Sequence, residues 1–145
     1  MQTETNPTLA QQVDRQTMKS EETKASSSAP SATRPADLAR AADLLAERKA
    51  QNLLLMDLRG LSNATDYFLL ASGTSDLHAR SIAEHVIEEL KKDGVRPDHV
   101  EGLRGGRWVL IDYIDFVVHV FHPAAREFYQ LERLWGDAPV HVLET

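Results

Sequence analysis

The side chains of this chain that could do chemistry are a surplus of carboxylates and six histidines, and their spacing decides what they can do. Asp112 and Asp115 stand three positions apart at what reads as a hairpin tip. Metal-dependent nucleotidyl transfer instead places two carboxylates at alternate positions of one strand, so that both face the metals. That Asp-x-Asp pattern is absent, and turn chemistry accounts for acidic residues at a hairpin tip. Among the histidines only His119 and His122 are close in sequence. A pair without placed carboxylates or cysteines is a weak metal signal, and the plainer reading is a half-buried strand histidine followed by a turn histidine. His78 and His85 read as solvent-side residues of one helix. Gly73-Thr74-Ser75 and the run 102–107, with two arginines among three glycines, could each hold an anion by backbone amides. Neither matches a P-loop or dinucleotide fingerprint, and capping and turning explain both. No serine occupies a nucleophile elbow, and the absence of cysteine removes thiolate metal sites, thiol catalysis and disulfides together. The residues therefore assign no catalytic, metal or cofactor site.

The elements that must position these groups follow from apolar periodicity. Asp37 starts a helix whose Leu38, Ala41, Ala42, Leu44 and Leu45 recur at helical spacing to about residue 50. Residues 53–58 are too short and too evenly apolar for a helix and read as a central strand. Residues 66–72 read as a second strand, antiparallel to the first across a short loop. Ser75 and Asp76 open a helix with Ile82, Ala83, Val86, Ile87 and Leu90 on one face, stopping at Gly94 with Pro97 beyond. A brief strand over residues 99–101 returns parallel to the second. Residues 107–113 and 115–121 form a hairpin, and Pro123 opens a last helix with Phe128, Leu131, Leu134 and Trp135 as its stripe. The expected architecture is a single α/β (α+β) domain of order αββαβββα, with a mixed sheet of about five strands flanked by helices.

The chain has 145 residues and a net charge of -6. Residues 1–35 are rich in Ser, Thr, Ala, Gln and Pro with almost no large apolar side chains, and read as a disordered tail. Their four acidic and four basic residues cancel, leaving 18 acidic against 12 basic residues in the domain expected over 36–145. An acidic domain argues against affinity built on phosphate neutralisation, so no direct sequence-specific nucleic-acid binding is expected. It suits a basic protein partner. No apolar run reaches the ~20 residues that cross a bilayer, and the N-terminus lacks a secretory pattern, so a cytoplasmic protein without membrane contact is expected.

Within the hairpin, alternation puts Trp108, Leu110 and Asp112 on one face and Val109, Ile111 and Tyr113 on the other. If one face is exposed, Trp108 beside Arg107 and near Asp112 makes an aromatic anchor with charged neighbours, the composition of interface hot spots. The alternative is Trp108 as core.

Several blocks in order then resemble the ribosomal silencing factor (iojap-like) family: residues 58–62, 65–68 and 71–75, Trp108 to Tyr113, Val117 to Phe121, and Arg126 to Trp135. The resemblance spans about residues 38–137. It implies a nucleotidyltransferase-like fold lacking that fold's catalytic carboxylates, in agreement with the missing Asp-x-Asp. It further implies a non-enzymatic repressor of translation under nutrient limitation. Such a factor binds the large ribosomal subunit through ribosomal protein uL14 and sterically blocks association with the small subunit. By match to the family's pattern the contacts are Trp108, Asp112, Tyr113 and Asp115, with Arg107, Glu101 and Gly102 as weaker candidates. The family usually has Gly where this chain has Ile114. A β-branched residue resists positive φ, so a different turn type is expected there.

Two other readings stay open from the residues alone. A nucleotidyltransferase-type enzyme would bind phosphates at Gly73 and metal at Asp112 with Asp115. A plain interaction module would use the Trp face for another basic protein. An exposed apolar hairpin face would also let a free chain pair with a second copy.

Overall fold

The computed structural model of the chain describes residues 35–129, 136 and 138–143. The tail expected over residues 1–35 lies outside them except for Pro35, as do Leu131, Leu134 and Trp135 of the expected last helical stripe.

Helix α1 (Pro35–Glu47) buries Ala41, Leu44 and Leu45, with Asp37 in its first turn. Strands β1 (Gln51–Asp57) and β2 (Tyr67–Ser72) pair antiparallel, as the short connection requires. Their register shifts between Gln51 and Leu54, where Asn52 takes φ 53, a left-handed conformation that asparagine tolerates. Helix α2 (Asp76–Lys92) begins where the Ser75 hydroxyl accepts the His78 N–H at 3.0 Å. It ends where Gly94 turns to φ 87 and the Val95 N–H returns to the Leu90 carbonyl at 2.8 Å. Then follow β3 (His99–Glu101), β4 (Trp108–Asp112), β5 (Phe116–Phe121), α3 (Pro123–Tyr129) and β6 (Val140–Val142).

The strands form one sheet of order β3-β4-β5-β2-β1-β6, in which only β2 and β5 run parallel as neighbours. β3 points the same way as β2, as expected of a return through α2, but lies on the edge with β4 and β5 between the two. β6 is an addition to the expected order: three residues pairing with β1 are too few to show strand periodicity.

Every residue of β4 and β5 is buried, because the sheet is covered on both faces. On one face Val109, Ile111, Tyr113, Phe116, Val118 and Val120 pack with residues of α1 and α2, including Leu44, Leu45, Ile82, Val86 and Leu90. On the other, Trp108, Leu110, Val117 and Phe121 pack with Met56, Leu58, Phe68, Leu70, Ala125 and Ala138. The predicted alternation of β4 therefore holds, but neither of its faces is open. No helix among the described residues is long and apolar enough to cross a membrane.

Candidate functional site

The β4–β5 hairpin turns over Tyr113, Ile114 and Asp115 at the sheet end where β1 finishes and β2 begins. Ile114 adopts φ 73, the left-handed conformation that glycine supplies without strain, so this β-branched residue takes the positive φ it was expected to resist. The Asp115 N–H reaches back to the Tyr113 carbonyl at 2.9 Å, a three-residue turn whose central residue at positive φ is rare and strained. Three braces hold it. Asp112 Oδ1 accepts the Ile114 N–H at 2.7 Å, the Tyr113 N–H donates to the Phe116 carbonyl at 2.9 Å, and the Asp66 N–H donates to the Asp115 carbonyl at 3.0 Å. The Tyr113 and Phe116 rings stack below the turn with centroids 5.1 Å apart. The residue's own propensity is thus overruled by hydrogen bonds within the hairpin and by one from Asp66. Ile114→Gly is expected to raise stability by up to about 1 kcal/mol, the relieved left-handed strain outweighing the entropy that glycine adds to the unfolded chain, as read from the urea midpoint.

Of the residues expected to make contacts, Trp108, Asp112 and Tyr113 are buried, at 5%, 1% and 1% exposure. This corrects the expectation of an exposed aromatic anchor. Trp108 stacks on Phe121 with centroids 5.3 Å apart, and its indole N–H donates to His119 Nδ1 at 2.9 Å. The physical reason is the second layer, since Ala125 of α3 and Ala138 close over the face on which Trp108 lies. Covering both faces also closes the apolar hairpin surface through which self-pairing had been left open. Asp115 and Ile114 are the half-exposed residues of the tip. Arg107 lies beyond the opposite end of β4 from Asp112, roughly 17 Å away at about 3.4 Å per residue, and Gly102 lies against Trp108 near that same end. Glu101 sits on the edge strand, where its carboxylate meets His99 Nε2 at 2.8 Å. The seven candidates therefore do not form one patch.

Around the hairpin end the chain gathers acid. The Asp98 N–H donates to the Asp112 carbonyl at 2.7 Å, which places Asp98 beside the hairpin, and the 3.0 Å bond to Asp115 brings Asp66 from the β1–β2 loop. Burial pushes the Asp112 carboxyl up to about 6; the Ile114 N–H opposes this, the Asp98 charge adds to it and His99 opposes it. Asp57 differs: Arg59 donates to both its oxygens, at 2.9 and 2.7 Å, and holds its carboxyl down at about 2. The Arg59 guanidinium lies 5.2 Å from the Tyr67 ring centroid. This pair was missed in the sequence, where its only trace is an acid and a base two apart at a strand end. Leu61, 44% exposed, adds an apolar side chain in the same β1–β2 loop.

The other chemical candidates resolve into structure. His119 is fully buried and held well below the usual imidazole range, at about 3, by burial and then by the Arg126 charge. Its Nδ1 is occupied by Trp108, while His122 Nδ1 accepts the Ala124 N–H at 3.1 Å as a cap of α3. Neither points to a shared ion, and no group of three or more ligating side chains that could hold a metal occurs among the described residues. His78 and His85 are partly exposed and, beyond the solvent-side reading, each is tied to a neighbouring segment. His78 accepts the Thr74 N–H at Nδ1, 2.8 Å, and meets the Arg48 carbonyl through Nε2 at 2.8 Å, pinning three segments together. His85 meets Glu47 at 2.9 Å. The Gly73 N–H is spent on the Phe121 carbonyl, and a Cβ there would lie 2.7 Å from the Ala79 nitrogen, so this glycine serves close packing.

Comparison with known proteins agrees with this architecture. The family described as "Ribosomal silencing factor during starvation" matches residues 30–145. The Bacillus subtilis ribosomal silencing factor RsfS is 41% identical over 98 residues, covering 68% of this chain and 83% of that protein. A mouse protein named "Mitochondrial assembly of ribosomal large subunit protein 1" is 29% identical over 102 residues, covering 68% of this chain and 45% of that one. A Bacillus halodurans crystal structure superposes with a TM-score of 0.68 at 34% identity, covering 76% of this chain and all of that one. The match over four-fifths of the chain and the shared mixed-sheet fold together establish that this chain belongs to the ribosomal silencing factor family.

Proposed function

We propose that the hairpin end docks on uL14, a basic protein of the large ribosomal subunit, and that the bound factor stands where the small subunit would join. The chain is a ribosomal silencing factor by family, so a ribosomal partner and a role in translation regulation follow from membership. The observation that carries the finer reading is the convergence of Asp66, Asp98 and Asp115 on one end of the sheet, beside Ile114 and Leu61, on a turn braced from three sides. An acidic rim around a few apolar side chains on a rigid support suits a basic protein surface, where complementary charge steers encounter and fixes orientation. The mouse relative's name places that protein with the large subunit, which favours the same side of the ribosome here.

In this reading Asp115 and Ile114 touch the partner, while Asp112, Tyr113 and Trp108 position the hairpin from beneath. The action is stoichiometric. A cytoplasmic factor bound to free large subunits lowers the joined fraction by mass action, with no turnover, cofactor or metal, under nutrient limitation. Reversing the charge at the tip tests the contact: Asp115→Lys is expected to weaken co-sedimentation with isolated large subunits by at least about tenfold, since a like charge opposes a basic surface. Undiminished binding by that variant removes the hairpin end as the docking site.

A further inference from the structure

The end of the sheet opposite the hairpin carries the reverse charge. Arg48, Lys49, Arg104 and Arg107 are exposed there and Arg80 is half-exposed. The backbone ties them to one place. His78 joins the Arg48 carbonyl to the start of α2, Arg80 Nη1 donates to the Arg104 carbonyl at 3.0 Å, and the His122 N–H donates to the Arg107 carbonyl at 2.9 Å. The β3–β4 loop is pressed against the first turn of α2 so closely that a Cβ on Gly106 would lie 2.3 Å from the Asp76 carbonyl oxygen.

Among the described residues none of these five cations is ion-paired with a carboxylate, whereas Arg40, Arg59 and Lys92 each are. Asp76 is an exposed carboxylate of this end, and Glu47 nearby is engaged by Arg40 and His85. The contrast matters because the domain carries 18 acidic against 12 basic residues, so a cluster of unpaired guanidinium groups runs against the overall charge. Gly105 adds reach: a Cβ there would meet nothing within 4 Å, which leaves the loop backbone open to a large anion.

We infer that this basic end is a second docking surface and that its occupant is the phosphate backbone of RNA, bound without sequence readout. Planar guanidinium forks match phosphate oxygens, and exposed cations gain affinity by displacing the counterions of a polyanion. Choosing RNA over another polyanion rests on the ribosomal reading above; the cation cluster itself does not. A protein with acid at one end and base at the other can bridge a basic ribosomal protein and neighbouring RNA, which fixes its orientation.

The test is fluorescence anisotropy of the full chain with a short labelled RNA duplex between about 50 and 200 mM salt, comparing wild type with the double variant Arg104→Gln, Arg107→Gln. Both replaced side chains are exposed and hold none of the bonds that fix the loop, so the fold is retained. Wild type is expected to bind with an affinity that falls linearly with salt on logarithmic axes, and the double variant to lose about two from that slope. Absence of salt-dependent duplex binding, or an unchanged slope in the variant, overturns the inference. Binding to phosphatidylserine vesicles but not to the duplex overturns it as well. Co-sedimentation with large subunits, run in parallel, separates the two proposals. Duplex binding without subunit binding leaves the basic end standing and removes the ribosomal reading, and the converse removes the basic end alone.

Discussion

Trp108→Ala is expected to lower unfolding free energy by about 3–5 kcal/mol, a large share of the 5–15 kcal/mol that holds a typical domain together. The side chain is 5% exposed, stacked on Phe121 and packed in the layer closed by Ala125 and Ala138. Truncation opens a cavity between the sheet and that layer, and also leaves His119 Nδ1 without its donor inside a core where burial already keeps the ring neutral. Trp108→Phe separates the two losses. It keeps most of the apolar volume and removes the N–H, so it is expected to cost about 1–3 kcal/mol. Urea unfolding of both variants, followed by circular dichroism, checks the pair. If Trp108→Ala unfolds at the wild-type midpoint, the side chain is not core, and the exposed-anchor reading returns. Lost ribosome binding in an alanine variant at this position would therefore report unfolding, and the proposed docking is better tested at half-exposed Asp115.

Asp112→Asn is expected to stabilise the protein at neutral pH by up to about 3 kcal/mol, at about 1.4 kcal/mol per pKa unit, and to do nothing well below pH 4. The sign follows from the carboxyl being pushed up to about 6 in the fold from an ordinary value of 3.8. Well below pH 4 the group is protonated in both states. As pH rises from about 4 to 6 the unfolded chain loses the proton first, so the folded state binds more protons and stability falls; above about 6 that loss is complete. Asparagine keeps an oxygen to accept the Ile114 N–H and carries no charge to bury, so the turn survives while the penalty disappears. Denaturant midpoints of wild type and variant at pH 4 and pH 7.5 measure it. A variant less stable than wild type at both values means that the carboxylate is stabilised by partners and is not penalised by burial. In the proposed docking, Asp112 positions the turn from beneath, so large-subunit binding by the variant is expected to stay near wild type.

Much of this architecture is legible in the residues. The run from Trp108 to Phe121 is apolar on both faces, which marks two neighbouring buried strands, and the capping residues around α2 mark its ends because capping is local chemistry. What covers a strand is not local. The layer over Trp108 comes from α3 and Ala138, and nothing in the hairpin's own alternation announces it. Ile114 misled for a related reason: its propensity argues against positive φ, and the contacts that impose it come from Asp66, Asp112 and Phe116. The division of the candidate contacts was within reach, since a five-residue strand separates Arg107 from Asp112. It was obscured because the resemblance groups them by sequence block, whereas a strand delivers its two ends to opposite sides of the domain. The charge layout was hidden more deeply, because a net charge sums over ends that the sheet keeps apart.

In the proposed function, occupation of the large subunit by this factor excludes the small one. Purified protein is incubated with separated subunits, and their reassociation is followed on a sucrose gradient for wild type and Asp115→Lys. Wild type is expected to travel with the large subunit, with joined particles falling as occupancy rises. The variant should bind less, leaving joining near its level without the factor. Joined particles that form undiminished while carrying the wild-type factor contradict it.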